Sequence, residues 1–367
     1  MKFFVDNYDL NAAISTATKA LTAKSAVNIL EGIYVDASEG KLHVKCSDLS
    51  LQIETEIPAT IEEEGVIVFP GRIFADIIRK LPNDLVDISV EGTTAYIKCG
   101  RINTTIQCFD AQEYPEMAPM YMSEGINISQ NKLKSMIRQT KFSASVDESK
   151  GILNGILVEV KDNNLTMVAL DGYRLAIRKE QISGSTLVER AVIPPKALNE
   201  MANILEDSDE PVKMHLSMAN AMIDLGHTKL LTRLLEGEYI KYSQILPKEY
   251  EIRVKVNRQE FYESIDRASL LARENKNNLV KFSFENDYLH ITANNEIGKI
   301  NEDVPVQIMG GSIDISFNSK FIIDILKNLD DDELYLDLTK NISPCVFRGI
   351  RGDEFYYLVL PIRPSLA

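Results

Sequence analysis

The chain repeats itself three times, and this repeat limits its fold more than any other feature of the sequence. The segment Ile29–Ile33 returns 123 residues later as Ile152–Ile156, with four of its five letters unchanged. The pattern of Leu42–Asp48 returns at the same offset as Leu165–Asp171, and a further 124 residues on as Leu289–Asn295. Self-similarity at a fixed period indicates copies of one structural unit. We therefore predict three similar domains, over residues 1–125, 126–248 and 249–367.

Each repeat opens with an alternating strand followed by an amphipathic helix. In the segment Ile252–Val256, apolar and polar residues alternate with the period of a half-buried strand. The helix of the second repeat is predicted from Ser129 to Ser145. Its buried face carries apolar residues and one threonine at helical spacing, namely Leu133, Met136, Ile137 and Thr140.

A second helix is predicted later in each repeat, after Pro70, Pro194 and Asn318, because these residue types suit the start of a helix. Strands joined by turn-forming clusters fill the remaining sequence. In the first repeat the buried stripe of this helix is predicted to comprise Ile73, Phe74, Ile77, Ile78 and Leu81. The pattern predicts an α+β fold with antiparallel sheets and two helices in each of three domains.

Charge is distributed unevenly between the helices and the rest of the chain. The 40 Lys and Arg residues against 54 Asp and Glu give a net charge of −14, which excludes a protein that coats nucleic acid over its whole surface. The predicted helix from Ser129 to Ser145 nevertheless contains four basic residues and no acidic one. Acidic runs lie elsewhere, as at Asp330–Glu333. The pattern suggests one surface that repels DNA and another that attracts it.

The sequence gives little sign of catalysis, of a metal site or of a membrane segment. It has no Walker A loop, GxGxxG or GxSxG motif, and no apolar run approaches the ~18 residues of a membrane span. The N-terminus lacks the apolar core of a signal peptide, so we expect a cytoplasmic protein. Because these binding motifs are missing, we expect no cofactor. The cysteines have no CxxC spacing and are predicted to be buried free thiols: Cys46, Cys99, Cys108 and Cys345.

One short segment, Asp171–Arg174, has two interpretations. Asp171 and Arg174 could serve a hydrolase as an acid and an electrophilic arginine, or they could form a turn with a structural ion pair. The counterparts Asp48 and Asn295 have no arginine three residues later. A feature present in one of three repeats is typical of a specialised site, so we take this segment as a binding-site candidate.

Several motifs together resemble the bacterial DNA polymerase III beta subunit, the sliding clamp family. They are the threefold repeat, Leu153–Gly155, Leu170–Ala176 and the C-terminal Tyr357–Arg363. The resemblance covers the whole chain and implies a homodimeric ring of six similar domains, with helices around a central hole and sheets outside. It implies a processivity factor without catalysis that encircles duplex DNA of any sequence.

The resemblance also implies positions that approach DNA. Family positions near DNA fall on Lys24, Lys150 and Lys196, whereas Asp147, Gly151 and Ile152 depart from the polar or aromatic residues frequent in the family. Basic residues of the predicted helices complete the candidate set: Lys24, Arg72, Arg79, Lys132, Arg138, Lys150 and Lys196.

A partner-binding groove between the second and third domains is implied as well. Polymerases and repair proteins insert a short motif there in the family, between apolar walls and rim arginines. The matching residues are Leu153, Leu170, Gly172, Tyr173, Arg174, Leu175, Ile245, Asn318, Phe321, Val359, Leu360, Pro361, Ile362 and Arg363. Ile240, Gln244 and Asn277 depart from the family pattern, which suggests a different motif preference.

The family dimer pairs an edge strand of the first domain with an edge strand of the third. The candidate interface residues are Arg101, Thr104, Ile106, Leu270 and Leu271, although packing within the third domain is another explanation for the two leucines. The implied partners are a second copy, duplex DNA, the replicative polymerase, a clamp loader, and repair and translesion polymerases. A peptide-binding scaffold without DNA, a hydrolase and a specialised paralogue are the alternatives.

Overall fold

The computed structural model describes residues 1–22, 24–115, 125–184, 189–274, 277–352 and 354–363. These residues form six α-helices, two in each repeat, as predicted. The helices are α1 (Asn7–Ala17), α2 (Gly71–Lys80), α3 (Gln130–Lys141), α4 (Pro195–Ile204), α5 (Arg258–Ala272) and α6 (Ser319–Asn328).

Strands make up most of the remaining structure. The first repeat contains β1 (Lys2–Asp6), β2 (Gly32–Ser38), β3 (Lys41–Ser47), β4 (Leu51–Pro58), β5 (Thr60–Glu63), β6 (Gly65–Pro70), β7 (Leu85–Glu91), β8 (Thr94–Cys99) and β9 (Ile102–Gln107). The second contains β10 (Ile126–Ser129), β11 (Ile156–Lys161), β12 (Asn164–Leu170), β13 (Arg174–Gln181), β14 (Ser183–Gly184), β15 (Arg190–Ile193), β16 (Pro211–Leu216), β17 (Asn220–Asp224) and β18 (Thr228–Arg233). The third contains β19 (Ile252–Asn257), β20 (Leu279–Glu285), β21 (Tyr288–Asn294), β22 (Lys299–Met309), β23 (Ile313–Asn318), β24 (Glu333–Leu338), β25 (Cys345–Gly349) and β26 (Phe355–Val359).

The chain packs as two compact bodies. The N-terminal body comprises residues 1–131 with 183–234, and the C-terminal body comprises residues 132–182 with 235–367. The N-terminal body has one sheet in the order β5-β1-β7-β8-β9 and a second in the order β14-β10-β16-β17-β18-β4-β3-β2-β6. The C-terminal body has the continuous order β11-β12-β13-β26-β25-β24-β19-β22-β21-β20-β23. Neighbouring strands in the described pairings are antiparallel, which confirms the predicted α+β fold.

In each body a strand of one repeat continues the sheet of the next. In the N-terminal body β4 pairs with β18, with Leu51 opposite Thr232. In the C-terminal body β13 pairs with β26, with Arg174 opposite Val359. Leu51 and Arg174 are 123 residues apart, which is the repeat offset, so the two junctions are copies of one arrangement.

The sequence pattern located the helices well and made two local errors. The buried face of α3 is as predicted, since Leu133, Met136 and Ile137 are fully buried. The helix ends at Lys141 rather than Ser145, because the chain turns at Phe142 and Ser143 donates its N–H to the Thr140 carbonyl. Ile73 was wrongly placed in the buried stripe of α2. It is 57% exposed, because the adjacent Phe74 takes the inward position and stacks on Phe69.

The four cysteines are buried free thiols, as predicted. Burial raises the pKa of the Cys108 thiol to about 11 and raises the pKa of Cys46 as well, because a desolvated thiolate is costly. Burial thus favours the protonated, less nucleophilic form of the Cys46 and Cys108 thiols.

Candidate functional site

A tight turn at Asp171 leads into β13, the strand that joins the second and third repeats. The Asp171 carboxylate accepts hydrogen bonds from the backbone N–H groups of Tyr173 at 2.9 Å and Arg174 at 3.0 Å. Gly172, between Asp171 and Tyr173, has a φ of +94°, a left-handed conformation that favours glycine. The same turn precedes β4 at Asp48 and β22 at Asn295, whose side-chain oxygens accept from backbone N–H groups two and three residues on. The turn therefore belongs to the repeat, and its arginine is the specialised element.

Arg174 is buried by ion pairs and aromatic rings. Its guanidinium contacts Asp171 at 3.0 Å (Nε to Oδ2) and Asp324 of α6 at 2.6 Å (Nη1 to Oδ2). The guanidinium carbon also lies 4.6 Å from the centre of the Phe321 ring. Its side chain is only 9% exposed, so these groups occupy the guanidinium. The structural interpretation of Asp171 and Arg174 is thus supported, and Arg174 positions the turn rather than lining the rim as expected.

Several apolar residues of the candidate groove are exposed, one of them in this turn. Tyr173 is 60% exposed and its ring lies 6.3 Å from that of the half-buried Phe321. Ile245 and Leu360 are about equally exposed, at 40% and 39%. Exposed apolar side chains of this kind can bury the hydrophobic anchors of a peptide.

Other residues of the candidate groove support it from beneath. Leu170, Leu175 and Val359 are buried in the sheet, so Leu175 and Val359 are not the exposed walls that the sequence suggested. Asn318 caps α6, because its side chain accepts from the Lys320 N–H at 3.0 Å. These residues fix the elements that carry the exposed side chains.

The last described residues form one edge of the site. The Leu360 N–H donates to the Tyr173 carbonyl at 2.9 Å, and the Ile362 N–H donates to the Ser316 carbonyl at 2.8 Å. Pro361 lies between these two anchors and is half-buried, whereas Arg363 is exposed. Leu153 is half-buried in the short 3-10 segment Glu148–Asn154. The structure thus brings Tyr173 and Leu360 together and holds the C-terminal segment through its backbone.

Sequence reasoning missed three residues that shape this region. Asp324 pairs with Arg174, and Tyr239 is buried with its hydroxyl 3.3 Å from the Val168 carbonyl. Burial raises the pKa of Tyr239 well above its ordinary value. The Tyr242 hydroxyl donates to Glu159 at 2.7 Å. Local sequence patterns could reveal none of the three, because their partners lie 150, 71 and 83 residues away in the chain.

Lys150 lies beside the same turn. Its ammonium donates to the Asp171 carbonyl at 2.6 Å and lies 5.3 Å from the centre of the Tyr173 ring. It was predicted as a DNA contact, and the structure places it against the turn residue Asp171 and the groove residue Tyr173.

The other predicted DNA contacts differ in their pairing. Lys24 and Arg72 are exposed. Lys132 pairs with Glu180 at 3.3 Å, and the remaining three are also paired with acids: Arg79 with Asp76, Arg138 with Asp330, and Lys196 with Asp48. The basic charge of α3 is therefore partly balanced by neighbouring carboxylates, which the helix sequence alone does not reveal.

The predicted interface residues lie at strand edges and a helix end. Thr104 and Ile106 belong to β9, which forms one edge of its sheet, and Arg101 lies in the turn before it. Leu270 is 62% exposed on α5, whereas Leu271 packs against the core of the third repeat. The structure thus separates two leucines that the sequence could not distinguish.

Within the described residues no group of three or more His, Cys, Asp and Glu side chains could hold a metal ion. No helix in the described ranges combines the length and apolar character that a membrane crossing requires.

Comparison with known proteins identifies the family. Models of the N-terminal, central and C-terminal domains of the DNA polymerase III beta subunit match residues 1–118, 127–241 and 243–363. The beta sliding clamp of Staphylococcus epidermidis is 35% identical over 361 residues, covering 95% of this chain and 96% of the relative. That of Staphylococcus aureus is 34% identical and covers 99% of both chains. The crystal structure of the Bacillus subtilis sliding clamp superposes with a TM-score of 0.95 at 33% identity, covering 100% of both chains.

These matches span the whole chain and agree with its threefold repeat and its antiparallel sheets. They also identify the chain as a non-catalytic subunit, since the relatives are named sliding clamps. The chain belongs to the DNA polymerase III beta subunit family, the beta sliding clamps.

Proposed function

We propose that the chain forms a homodimeric ring that encircles duplex DNA and tethers DNA polymerases through the groove around Tyr173 and Leu360. The repetition of the junction strand pair supports this proposal most strongly. β4 pairs with β18 and β13 pairs with β26 in equivalent registers, and the third copy of the pattern has no such partner among the described strands. No other described strand pairs with the outer edge of β9 or with the corresponding edge of β22 over residues 299–305.

The repeat predicts the register of the missing pair. The residues three positions after Asp48, Asp171 and Asn295 of the repeated turn are Leu51, Arg174 and Gly298. In the hairpin that precedes the junction, Ile106 of the first repeat corresponds to Thr232 of the second. Ile106 of one copy would then lie opposite Gly298 of another, and Thr104 opposite Ile300. Thr104 and Ile300 are both half-buried, whereas Thr105 and Lys299 are both exposed, so this register keeps each face of the sheet consistent.

A ring of this kind needs only weak contacts with DNA. Exposed cations such as Lys24 and Arg72 would contact phosphates of any sequence. Topological linkage would retain the clamp while these weak contacts allow it to slide. Such a clamp would act in the cytoplasm with a clamp loader, the replicative polymerase, and repair and translesion polymerases.

The groove would act through effective concentration. A partner held by a short peptide on Tyr173, Ile245 and Leu360 stays near its template after each dissociation from the primer end. This tethering increases processivity without any catalytic residue in the clamp.

The decisive test is retention on nicked circular DNA after loading with a compatible clamp loader and ATP. We expect the clamp to remain on the circle through gel filtration and to be released when the circle is cut. Equal retention on circular and linear DNA would contradict encirclement, since ordinary affinity does not depend on topology. A control clamp shown to load in parallel establishes that the loader is active.

A peptide-binding scaffold without DNA is the second candidate. The ion pairs of Lys132, Arg138 and Lys196 favour it, because they reduce the charge available to phosphates. Failure to be retained on either DNA, together with peptide binding in the groove, would support the scaffold.

A further inference from the structure

Lys150 contacts the candidate peptide groove although it occupies a position expected to approach DNA. Its ammonium donates to the Asp171 carbonyl at 2.6 Å and lies over the Tyr173 ring at 5.3 Å. A Cβ atom added to Gly172 would come within 3.7 Å of the same ammonium. Lys150 therefore covers the turn that presents Tyr173.

The acidic charge that acts on this ammonium is that of Asp147, three residues earlier, and the two groups do not form a salt bridge. Among the described residues, Lys150 forms no salt bridge with a carboxylate, whereas Lys132 and Arg138 of the same body each do. Its hydrogen-bond acceptor is a neutral backbone carbonyl. A phosphate oxygen carries a negative charge that a carbonyl oxygen lacks, so it forms a stronger hydrogen bond with an ammonium. DNA near this loop would therefore attract Lys150 more readily than the paired cations.

The loop that carries Lys150 also carries a groove residue. Lys150 lies in the 3-10 segment Glu148–Asn154, which begins seven residues after the last residue of α3 and contains Leu153. The Leu153 carbonyl accepts from the Ser145 N–H at 3.0 Å, and Asp147 caps the segment by accepting from the Ser149 N–H. Gly151, next to Lys150, has a φ of +54°. A displacement of Lys150 would therefore act on both Tyr173 and Leu153.

We propose that Lys150 is a positioning residue of the peptide groove and that duplex DNA and a groove peptide compete through it. This inference rests on the proposed function. When a phosphate binds the Lys150 ammonium, the Asp171 carbonyl and the Tyr173 ring each lose their contact with Lys150. The turn then no longer holds Tyr173 in its ordered position. A peptide then has to restore that order as it binds, which weakens its affinity. By linkage, a bound peptide weakens DNA binding by the same factor.

The experiment measures peptide affinity with and without DNA for four proteins. The probe is a fluorescein-labelled peptide selected from a random library for binding to the wild-type clamp and for loss of binding to Leu360→Asp. The dissociation constant is measured by fluorescence anisotropy in low salt, alone and with a saturating short linear duplex. The proteins are wild type, Lys150→Met, Lys150→Arg, and the control Lys161→Met, which removes the charge of an exposed lysine in the same body.

We expect DNA to weaken peptide binding to the wild type about five-fold, at the lower end of typical coupling. Lys150→Met should bind the peptide about five-fold more weakly without DNA and should show no further effect of DNA. Lys150→Arg should restore both the affinity and the response, and Lys161→Met should match the wild type. Unchanged thermal midpoints would separate positioning from a loss of folding.

Two results would overturn the inference while leaving the proposed function intact. One is a Lys150→Met protein that binds the peptide as tightly as the wild type. The other is an equal effect of DNA on Lys150→Met and on wild type, since the competition would then run through other residues. A wild-type clamp that selects no Leu360-dependent peptide would contradict the groove itself, and with it this inference.

Discussion

Arg174 and Asp324 form an ion pair between two elements 150 residues apart, with Nη1 and Oδ2 separated by 2.6 Å. Arg174 begins β13 and Asp324 lies on α6, so the pair ties the turn of the second repeat to a helix of the third. Phe321, one helical turn before Asp324, stacks on the same guanidinium. Peptide partners would therefore meet a surface whose geometry is set by buried charge as well as by apolar packing.

Removal of Arg174 should destabilise the C-terminal body. Arg174→Met leaves the carboxylates of Asp171 and Asp324 without their cation, and breaking a buried pair in this way costs about 3 kcal/mol. Chemical denaturation monitored by circular dichroism would measure the change. Adding Asp324→Leu to Arg174→Met should recover part of the loss. A single variant as stable as the wild type would show that the pair contributes little.

The exposed apolar side chains of the groove should control partner binding without affecting the fold. Ile245→Asp and Leu360→Asp each place a charge on a side chain about 40% exposed. We expect each to weaken peptide binding more than ten-fold, since a central apolar contact contributes about 2 kcal/mol or more. Met218→Asp is the matched control, because Met218 is 88% exposed in the N-terminal body. Retention on circular DNA should be the same for all three.

The proposed dimer register can be tested by cross-linking. Cysteines introduced as Thr105→Cys and Lys299→Cys would lie opposite each other on neighbouring copies, at the short distance of a cross-strand pair. The native cysteines are buried, so mild oxidation should act on the new pair and give a covalent dimer on a denaturing gel. The control pair, Thr105→Cys with Asp303→Cys, is four residues out of register. It should form no disulfide and should run as a monomer on the denaturing gel. Efficient cross-linking of that control instead would contradict the register.

Exposed cations should determine the salt dependence of DNA binding. Lys24→Glu and Arg72→Glu each remove one candidate phosphate contact, and the slope of log affinity against log salt should fall by about 1 for each. The measurement is a titration of duplex DNA at several salt concentrations. Lys161→Glu provides the charge-matched control. An unchanged slope in both variants would exclude these residues from the DNA contact.

The pair of Asp48 and Lys196 should make stability depend on pH. Burial opposes ionisation of Asp48, but hydrogen bonds from Lys196, from Ser50 and from the backbone outweigh it and hold the pKa of the carboxyl below its ordinary value of 3.8. Because the folded pKa is the lower one, the stabilisation is present above pH 3.8 and disappears as the pH falls through the folded pKa. Asp48→Asn keeps a turn-forming acceptor, as Asn295 does in the third repeat, but loses the charge.

We therefore expect Asp48→Asn to be less stable than wild type at pH 7 by at most about 1 kcal/mol, since Lys196 is 57% exposed. The difference should shrink toward zero below pH 3.8. Thermal midpoints of both proteins across this range would measure it. A difference that stays constant with pH would show that the carboxylate charge is not its origin.

Local patterns in the sequence predicted the repeat and the starts of the second helices, and they gave a turn at Asp171 as one of two interpretations. Pro70, Pro194 and Asn318 do precede helices α2, α4 and α6. These features depend on residues near one another in the chain, whose spacing and backbone preferences are visible in one dimension. The error at Ile73 arose because the buried face of α2 comprises only Gly71, Phe74 and Ile78, and apolar periodicity alone does not show how wide a buried face is.

The sequence by itself determined the threefold architecture, the antiparallel α+β class and the membership of the clamp family. Only the tertiary structure decided that Arg174 is enclosed by Asp171 and Asp324, that Leu175 and Val359 lie beneath the groove, and that Lys150 covers the turn before Tyr173. The reason is physical. Periodicity records which face of an element is apolar, whereas the partner of a charge or ring depends on how distant elements pack together.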